Sequence, residues 1–267
     1  MIEFTKMHGL GNDYVFIDCT SKKNIITNPS SFSQTISNRN FGIGSDGLIL
    51  IEDSNIADFK MRIFNSDGSE AEMCGNGIRC VGKYLYKKKL TNKTSIEIET
   101  LAGIKKIQLK IKNNQVVSVS VCIGEAKLLD EIVLEILDTK FVVTPTLVGN
   151  PHAVIFVTDI DKFNFEKYSP LIENHRIFPN KTNVEFAQII NPNLVKVKVW
   201  ERGSGATLAC GTGACAVTAV AYNKKFIYKS VNIELPGGFL QTYLDPTSNV
   251  VYLSGPASTV YDGVYCN

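Results

Sequence analysis

Residues 74–80 read CGNGIRC, and residues 210–216 read CGTGACA. Each stretch runs into an apolar segment that ends in lysines, YLYKKK in the first case and AVAYNKK in the second. A glycine-rich turn directly before an apolar run of helical length is typical of a helix start. The two stretches therefore predict two helices, each of which begins just after a cysteine.

The segments that flank the two cysteines repeat as well. An alternating apolar segment ends at Asn65 before the first cysteine and at Glu201 before the second, nine positions away in both cases. Farther back, LGNDYVFI around Asn12 corresponds to VGNPHAVIF around Asn150, and downstream SIEIETLAG corresponds to VNIELPGG. Four features in the same order at nearly the same spacing indicate that the chain consists of two similar halves.

Short runs that alternate apolar and polar residues are typical of strands, and they outnumber the helical runs in both halves. They cover residues 14–18, 60–64, 96–99, 105–110 and 116–121 in the first half, and 153–157, 194–200, 231–235 and 250–253 in the second. The prediction is an α/β (α+β) fold of two pseudo-symmetric domains, each a mixed or antiparallel sheet wrapped around a central helix. We expect an N-terminal domain of residues 1–122 plus 257–267 and a C-terminal domain of residues 123–256.

The composition indicates a folded chain without a strongly charged surface. The 267 residues are 44% hydrophobic and 20% charged, which is enough to bury a substantial core. The chain has 28 basic and 26 acidic residues, which gives a formal net charge of only +2, and its lysines are scattered. Nucleic acid and membrane surfaces are therefore not the expected partners.

The expected location is the cytoplasm, because Glu3 and Lys6 interrupt the apolar N-terminus and exclude a signal peptide. The uncharged run 203–223 approaches membrane-spanning length, but its glycine, alanine, threonine and serine content favours a buried helix.

Seven cysteines, an odd number with no CxxC pair, argue against a disulfide framework. The spacings CxxxxxC and CxxxxC also differ from zinc-binding knuckles. Five cysteines are therefore interpreted as small buried apolar residues: Cys19, Cys80, Cys122, Cys215 and Cys266. Cys74 and Cys210 differ from these because the repeat places both at equivalent helix starts.

A thiol at a helix N-terminus lies near N–H groups that have no partner within the helix, and the field there favours anions. This field is expected to lower the thiol pKa from about 8.5 to about 7 to 8. Such a pKa suits a group that takes up and returns a proton near neutral pH. Two such thiols supply a base for one face of a carbon and an acid for the other, so the repeat predicts racemisation without a cofactor. Glycine-rich helix starts also bind phosphate, but no Lys or Ser/Thr follows at P-loop spacing.

Several motifs extend over nearly the whole chain in one order. They are KMHGLGNDY near the start, NSDGSEAEMCGNGIR at 65–79, GNPH at 149–152, NVEF at 183–186, ERGSGATLACGTGACA at 201–216, then LPGG and the closing VYDG. Together they resemble the diaminopimelate epimerase family. The resemblance implies interconversion of LL- and meso-2,6-diaminopimelate, a small-molecule substrate of lysine and peptidoglycan synthesis, without pyridoxal phosphate or metal.

The resemblance also implies roles for individual residues, with Cys74 and Cys210 as the two acid–base groups. The distal amino acid centre of the substrate is expected to bind Asn12, Asn65, Asn150, Asn183, Glu201 and Arg202. The reacting carboxylate is expected to bind Gly75, Asn76, Gly211 and Thr212. His152 and Glu201 are expected to tune the cysteines and the α-amino group, and Tyr261 corresponds to a tyrosine at the contact of a homodimer.

The sequence departs from the family pattern at Gly47, where some members carry a substrate-contacting glutamine. Two assigned residues also have simpler interpretations. His152 follows an Asn-Pro turn and could be an ordinary packed histidine. Glu201 and Arg202 at a strand end are by default a solvated pair, and only the repeat relates them to Asn65.

Two other functions compete with epimerisation of diaminopimelate. One is a related racemase or isomerase of the same superfamily, similar to proline racemase or to the isomerases of phenazine synthesis. The second cysteine argues against most of the latter, and the asparagines with Arg202 favour an acyclic substrate. The other is a thiol redox or binding protein, which predicts no exchange of an α-proton.

Overall fold

The computed structural model describes residues 1–22 and 26–266. These residues form two compact units, the first of Met1–Val121 with Gly255–Asn267 and the second of Cys122–Ser254. The strands of the first unit, in chain order, are β1 (Ile2–Gly9), β2 (Asn12–Asp18), β3 (Gly47–Glu52), β4 (Phe59–Asn65), β5 (Glu70–Ala71), β6 (Ser95–Thr100), β7 (Gly103–Lys112) and β8 (Gln115–Glu125). The later strands are β9 (Lys127–Leu128), β10 (Ile132–Ile136), β11 (Thr139–Val148), β12 (Asn150–Phe156), β13 (Asn183–Asn191), β14 (Leu194–Glu201), β15 (Gly205–Thr207), β16 (Ser230–Leu235), β17 (Gly238–Leu244), β18 (Val250–Gly255) and β19 (Ser258–Tyr265). The helices are α1 (Pro29–Ser37), α2 (Gly75–Lys87), α3 (Phe165–Glu173) and α4 (Gly211–Asn223), with a short 3-10 turn at Thr20–Lys22.

The first unit pairs its strands in the order β19–β1–β2–β3–β4, with only β2 and β3 parallel. Strands β5 and β6 pair with opposite ends of β4, β5 antiparallel and β6 parallel. The antiparallel strands β7 and β8 complete the unit. A parallel pair needs a crossover connection, and α1 lies in the segment that joins β2 to β3.

The second unit repeats this order. It pairs β10–β11–β12–β13–β14 with only β12 and β13 parallel, and α3 lies in their connection. Strands β15 and β16 pair with opposite ends of β14, and antiparallel β17 and β18 follow. The mixed α/β fold predicted from the sequence is confirmed, and the internal repeat of the sequence reappears as a repeat of topology.

The two helices predicted to follow the cysteines are confirmed, since α2 begins at Gly75 and α4 at Gly211. The run 203–223, predicted as one buried helix, is helical only from Gly211, because Gly205–Thr207 form β15. Helices α1 and α3 were missed. The signal for α1 was present, because Asn28 accepts a hydrogen bond from Ser31 N–H and a proline occupies the first turn.

Helix α2 is the centre of the first unit, and ten of its thirteen residues are buried. Glycine allows the sheet to approach this helix closely. A Cβ atom at Gly82 would lie 2.7 Å from Ile107 Cδ1 and 2.9 Å from Leu109 Cδ2, both on β7. Gly82, two residues after the motif, therefore serves the packing of α2 against β7.

Helix α4 occupies the same position in the topology of the second unit and is almost entirely buried. Alanine, glycine and valine form most of its surface. Its buried Thr218 hydroxyl is satisfied by Ala214 O at 2.8 Å and by the Thr242 hydroxyl of β17 at 2.6 Å. The buried Thr218 hydroxyl is therefore hydrogen-bonded, as a polar group inside a protein is expected to be. Among the described residues, no helix is both long and apolar enough to cross a membrane.

Candidate active site

Cys74 and Cys210 are the N-cap residues of α2 and α4. Both have extended backbone angles, and each sulfur accepts a hydrogen bond from the N–H group three residues later. The distance is 3.3 Å from Gly77 N to Cys74 Sγ and 3.4 Å from Gly213 N to Cys210 Sγ. A cysteine in the position usually held by serine or aspartate places its sulfur in the field of the helix N-terminus.

Two uncharged side chains contact Cys74. Its sulfur lies 3.4 Å from Asn12 Oδ1 and 3.6 Å from the Tyr14 hydroxyl, both on β2. Burial raises the pKa of Tyr14 well above its usual value, and the charge of the Cys74 thiolate raises it further. The tyrosine therefore stays protonated and donates its hydrogen to sulfur. Tyr14 was not identified from the sequence, although it lies within the quoted motif KMHGLGNDY.

Asn12 is oriented from behind by an acidic residue. Its amide nitrogen donates to Asp46 Oδ2 at 2.8 Å, and Asp46 is held in turn by Arg39 at 2.9 Å. Because the amide nitrogen faces the carboxylate, the amide oxygen faces Cys74 and also accepts from Asn76 Nδ2 at 3.4 Å. Asp46 therefore orients the Asn12 side chain so that its amide oxygen, and not its nitrogen, contacts Cys74.

Arg79, in the first turns of α2, is fully buried. Its guanidinium donates to Gly75 O and to Asn76 Oδ1, both at 2.9 Å. Arg79 thus holds the two residues that follow Cys74 and adds a positive charge beneath the start of the helix. It was quoted as part of CGNGIRC but not recognised as a site residue, because an arginine on a helix is usually exposed.

Asn65 ends β4, and its amide nitrogen donates to Ser69 Oγ at 3.0 Å. Gly47 begins β3 and is paired with Asn65. A Cβ atom at Gly47 would lie 2.2 Å from the Phe64 carbonyl oxygen. The glutamine that some family members carry at this position therefore cannot be accommodated here without a shift of the backbone.

Cys210 is buried, and its surroundings are acidic. Its thiol donates to the Glu201 carboxylate, which also accepts from Thr207 Oγ1 at 2.7 Å. The Thr212 hydroxyl lies 3.4 Å from the sulfur. Burial raises the pKa of Cys210 well above its usual value, and the charges of Glu201 and Glu185 raise it further. The pKa of about 7 to 8 expected from the helix field is therefore wrong for Cys210, because burial and two carboxylates outweigh a helix effect of at most about 2 kcal/mol.

His152 and Glu185 form a buried pair beside this cysteine. His152 Nδ1 lies 2.7 Å from Glu185 Oε1, and its Nε2 lies 2.9 Å from Asn150 Oδ1. His152 is buried, as a packed histidine would be, but both of its ring nitrogens have polar partners. Glu185 was missed, although it lies in the quoted motif NVEF, because a glutamate within an alternating strand gives no sign that it is buried.

Asn183 and Arg202 are linked through the backbone. Asn183 Nδ2 donates to Pro151 O at 2.8 Å, and its Oδ1 accepts from Arg202 N at 3.0 Å. The Arg202 side chain is exposed and donates to Asn180 O at 3.2 Å. Glu201 is half-buried and its carboxylate accepts from Thr207, so it is not the solvated residue of the default interpretation, and burial raises its pKa.

In each unit, several of the predicted residues thus lie at neighbouring strand ends on the same side of the sheet. Asn12 begins β2 and Asn65 ends β4 in the first unit, while Asn150 begins β12 and Glu201 ends β14 in the second. Tyr261 lies on β19, with 45% of its surface exposed and its ring edge-on to Phe4.

The remaining cysteines divide by burial. Cys80 and Cys215 are buried as expected, and Cys19 and Cys122 are partly buried. Cys266 is exposed, so its interpretation as a buried apolar residue is wrong. Within residues 1–22 and 26–266, no group of three or more His, Cys, Asp or Glu side chains is arranged to hold a metal ion.

The second unit also contains a cavity of about 740 Å³ near the C-terminal end of α4, lined by Tyr222, Phe226 and Tyr228 among others. Glu201, Thr212 and Gly213, which contact Cys210, are not among its lining residues. The cavity is therefore not part of the cysteine site.

Comparison with solved structures shows the fold. A phenazine biosynthesis protein of the PhzF family from Bacillus anthracis superposes with a TM-score of 0.78 at 18% identity, covering 98% of each chain. A hydroxyproline epimerase from Agrobacterium vitis superposes with a TM-score of 0.72 at 14% identity, covering 98% of this chain and 90% of the other.

Comparison with known sequences shows the family. The family model described as diaminopimelate epimerase matches residues 4–129 and 145–260. A diaminopimelate epimerase of Methanococcus maripaludis is 50% identical over 98% of this chain and 99% of its own length. One of Acetivibrio thermocellus is 46% identical over 98% of both. Since the agreement covers nearly the whole chain and both cysteine motifs, the protein belongs to the diaminopimelate epimerase family and is an isomerase.

Proposed function

We propose that this protein converts LL-2,6-diaminopimelate to meso-2,6-diaminopimelate with Cys74 and Cys210 as its two acid–base groups. The observation that carries the proposal is the repeated N-cap: each unit presents one thiol at the start of its central helix. The family membership supports the reaction, and the repeat supports two equivalent groups rather than one.

The reaction removes one proton from a carbon and adds another to its opposite face, so that the product is a stereoisomer of the substrate. One cysteine, as thiolate, takes the α-proton, and the electrons of the C–H bond pass into the adjacent carboxylate as an enolate. The other cysteine, as thiol, then delivers its proton to the opposite face of the same carbon. The protonation states of the two sulfurs have been exchanged at the end, so that the same groups run the reverse reaction with exchanged roles.

Stabilisation of the enolate requires hydrogen-bond donors that are already in place. Helix N-termini supply such donors, and we assign the backbone N–H groups at Gly75, Asn76, Gly211 and Thr212 to the reacting carboxylate. For the distal amino acid centre we propose the polar residues at the strand ends and beside them, Asn12, Asn65, Asn150, Asn183, Glu201 and Arg202. His152 and Glu201 adjust the protonation of Cys210 and bind the α-ammonium group.

The proposal also covers the two domains, the location of the enzyme and its oligomeric state. The two compact units, Met1–Val121 with Gly255–Asn267 and Cys122–Ser254, are proposed to be two epimerase domains, close to the expected residues 1–122 with 257–267 and 123–256. The enzyme is proposed to act in the cytoplasm, in lysine and peptidoglycan synthesis. A homodimer through the exposed Tyr261 is proposed, and sedimentation equilibrium of wild type and Tyr261→Asp tests it.

Incubation with LL-diaminopimelate in D₂O tests the two-base reaction. The meso product should carry deuterium at the inverted carbon, while LL substrate recovered early should retain its protium. Deuterium in early unconverted LL substrate would indicate a single exchanging base and contradict the proposal. Cys266→Ala, which removes an exposed thiol, serves as the matched control and should behave as wild type.

The same experiment separates the alternatives. A proline racemase-like enzyme would label L-proline instead of diaminopimelate, and a thiol redox protein would label neither. Three relatives at 50%, 46% and 44% identity are named diaminopimelate epimerase, so proline is not the favoured substrate.

A further inference from the structure

The Glu185 side chain is a charge that the reaction as proposed does not use. It is fully buried on β13, and its Oε1 lies 2.7 Å from His152 Nδ1. Its other oxygen, Oε2, is buried and has no hydrogen-bond partner among the described residues. Because burying a carboxylate with one oxygen unpaired is costly, its presence calls for a reason other than stability.

The start of helix α4 is shaped around this carboxylate. A Cβ atom at Gly213 would lie 2.6 Å from Glu185 Oε1 and 3.2 Å from its Cγ, so a larger residue here would displace the Glu185 side chain. Gly213 is also the residue whose N–H group donates to Cys210 Sγ. The negative charge of Glu185 therefore lies against the helix turn that should stabilise a Cys210 thiolate, and it offsets the helix field there.

The charged and polar side chains of Cys210's surroundings, including the histidine bonded to one of its acidic neighbours, come from four elements. Glu201 on β14 and Glu185 on β13 bring negative charge, His152 on β12 is bonded to Glu185, and Thr212 on α4 brings a neutral hydroxyl. Both carboxylates favour the neutral thiol over the thiolate. Of the two, Glu185 also fixes a neighbour, since it holds one nitrogen of His152 while the other faces Asn150.

The first unit lacks this charge at the equivalent place. Tyr14 and His152 are equivalent, and they pair with Gly47 on β3 and with Asn183 on β13. Ile49 lies two residues after Gly47, and Glu185 lies two residues after Asn183, so these two positions are equivalent as well. Ile49 packs on α2 as Glu185 packs on α4, since a Cβ atom at Gly77 would lie 2.7 Å from Ile49 Cδ1. The same position holds an apolar side chain beside Cys74 and a carboxylate beside Cys210.

We propose that Glu185 is a positioning residue that orients His152 and keeps Cys210 in the thiol form in the unliganded enzyme, so that Cys210 begins as a proton donor. This inference rests on the proposed function for its meaning in catalysis. Its physical content, the protonation of one sulfur, can be measured without turnover.

Alkylation by iodoacetamide tests it, because the thiolate is the reacting form. The rate at Cys210 and at Cys74 is followed from pH 6 to 11 by mass spectrometry of the separate peptides, in wild type and in Glu185→Gln. In Glu185→Gln, the pH at which the alkylation rate of Cys210 is half of its maximum should fall by at least about one pH unit. The midpoint of Cys74 should stay in place. An unchanged Cys210 midpoint, or an equal shift at both cysteines, overturns the proposal.

Two further variants keep the test decisive. Glu131→Gln removes a carboxylate of the same unit that is exposed and paired with Lys224, and it should leave both midpoints unchanged. Glu185→Asp keeps the charge but draws it away from His152, so the Cys210 midpoint should stay near that of wild type while kcat falls and KM changes little. A fall of the Cys210 midpoint in Glu185→Asp as large as in Glu185→Gln would contradict the role of charge.

The pH profile of kcat provides the catalytic readout. Glu185→Gln should displace one limb of the profile toward lower pH, whereas a purely structural role would lower kcat equally at every pH and would overturn the proposal. Failure of the proposed function is recognised separately, since it would appear as epimerisation that persists in Cys210→Ala. The alkylation midpoints do not depend on that result.

Discussion

The two cysteine sites share a backbone and differ in charge. Both sulfurs cap a helix and accept an N–H group at almost the same distance. Uncharged Tyr14 and Asn12 contact Cys74, whereas Glu201 contacts Cys210 with Glu185 beside it. The duplicated fold preserves the geometry of the thiol, and the side chains around it determine its protonation.

Three pairs of equivalent positions account for most of this difference. Tyr14 corresponds to His152 and Ile49 to Glu185 by strand register. Arg79, five residues after Cys74, corresponds to Cys215. The first site therefore has a buried cation beneath its helix start, and the second has a buried anion.

Removal of either sulfur gives the largest expected effect. Cys74→Ala and Cys210→Ala should each lower kcat by about 10²–10⁴-fold, since each removes one of the two proposed proton-transfer groups. Steady-state epimerisation with purified variants measures this, with the exposed Cys266→Ala as control. If one variant retained wild-type activity, the equivalence of the two sites would be lost.

Loss of the buried cation should cost stability in the first unit. Arg79→Met leaves Gly75 O and Asn76 Oδ1 without their donor and should lower the free energy of unfolding by about 1.5–3 kcal/mol. Arg62→Met, which removes a partly exposed arginine paired with Glu70, should cost less than about 1 kcal/mol. Urea unfolding compares the two, and equal losses would show that burial of Arg79 is not what matters.

The orientation of Asn12 should have a smaller effect. Asp46→Asn lets the Asn12 amide turn, so that its nitrogen faces Cys74, and should lower kcat about tenfold, equivalent to roughly 1.4 kcal/mol. Asp58→Asn, at an exposed ion pair with Lys93, is the matched control. A normal kcat in Asp46→Asn would mean that Asn12 is held by other contacts.

The tyrosine hydroxyl should have the smallest effect. Tyr14→Phe removes one hydrogen bond to sulfur at 3.6 Å and should change kcat by about twofold to fivefold, at the lower end of what a hydrogen bond contributes. Tyr228→Phe, at an exposed tyrosine of the second unit, should have no effect. A loss in Tyr14→Phe as large as that in Cys74→Ala would place the tyrosine in the proton transfer itself.

The sequence by itself determined the repeat, the mixed fold and the two helix starts. These features are local: glycine after cysteine opens a turn, alternation marks a strand, and capping depends on residues three positions apart. For the same reason, the family motifs led to Asn12, Asn65, Asn150 and Glu201, because each lies at a strand end that the alternation already marks.

Only the tertiary structure decided the charges around each sulfur. Arg79 and Glu185 look like ordinary surface residues in the sequence, and strand register and helix packing bury them. The helix field predicted a lowered pKa for both thiols, but that field is worth at most about 2 kcal/mol. Burial and carboxylates from distant strands raise the pKa of Cys210 instead, because desolvation and Coulomb interactions depend on distances in space that the order of residues does not contain.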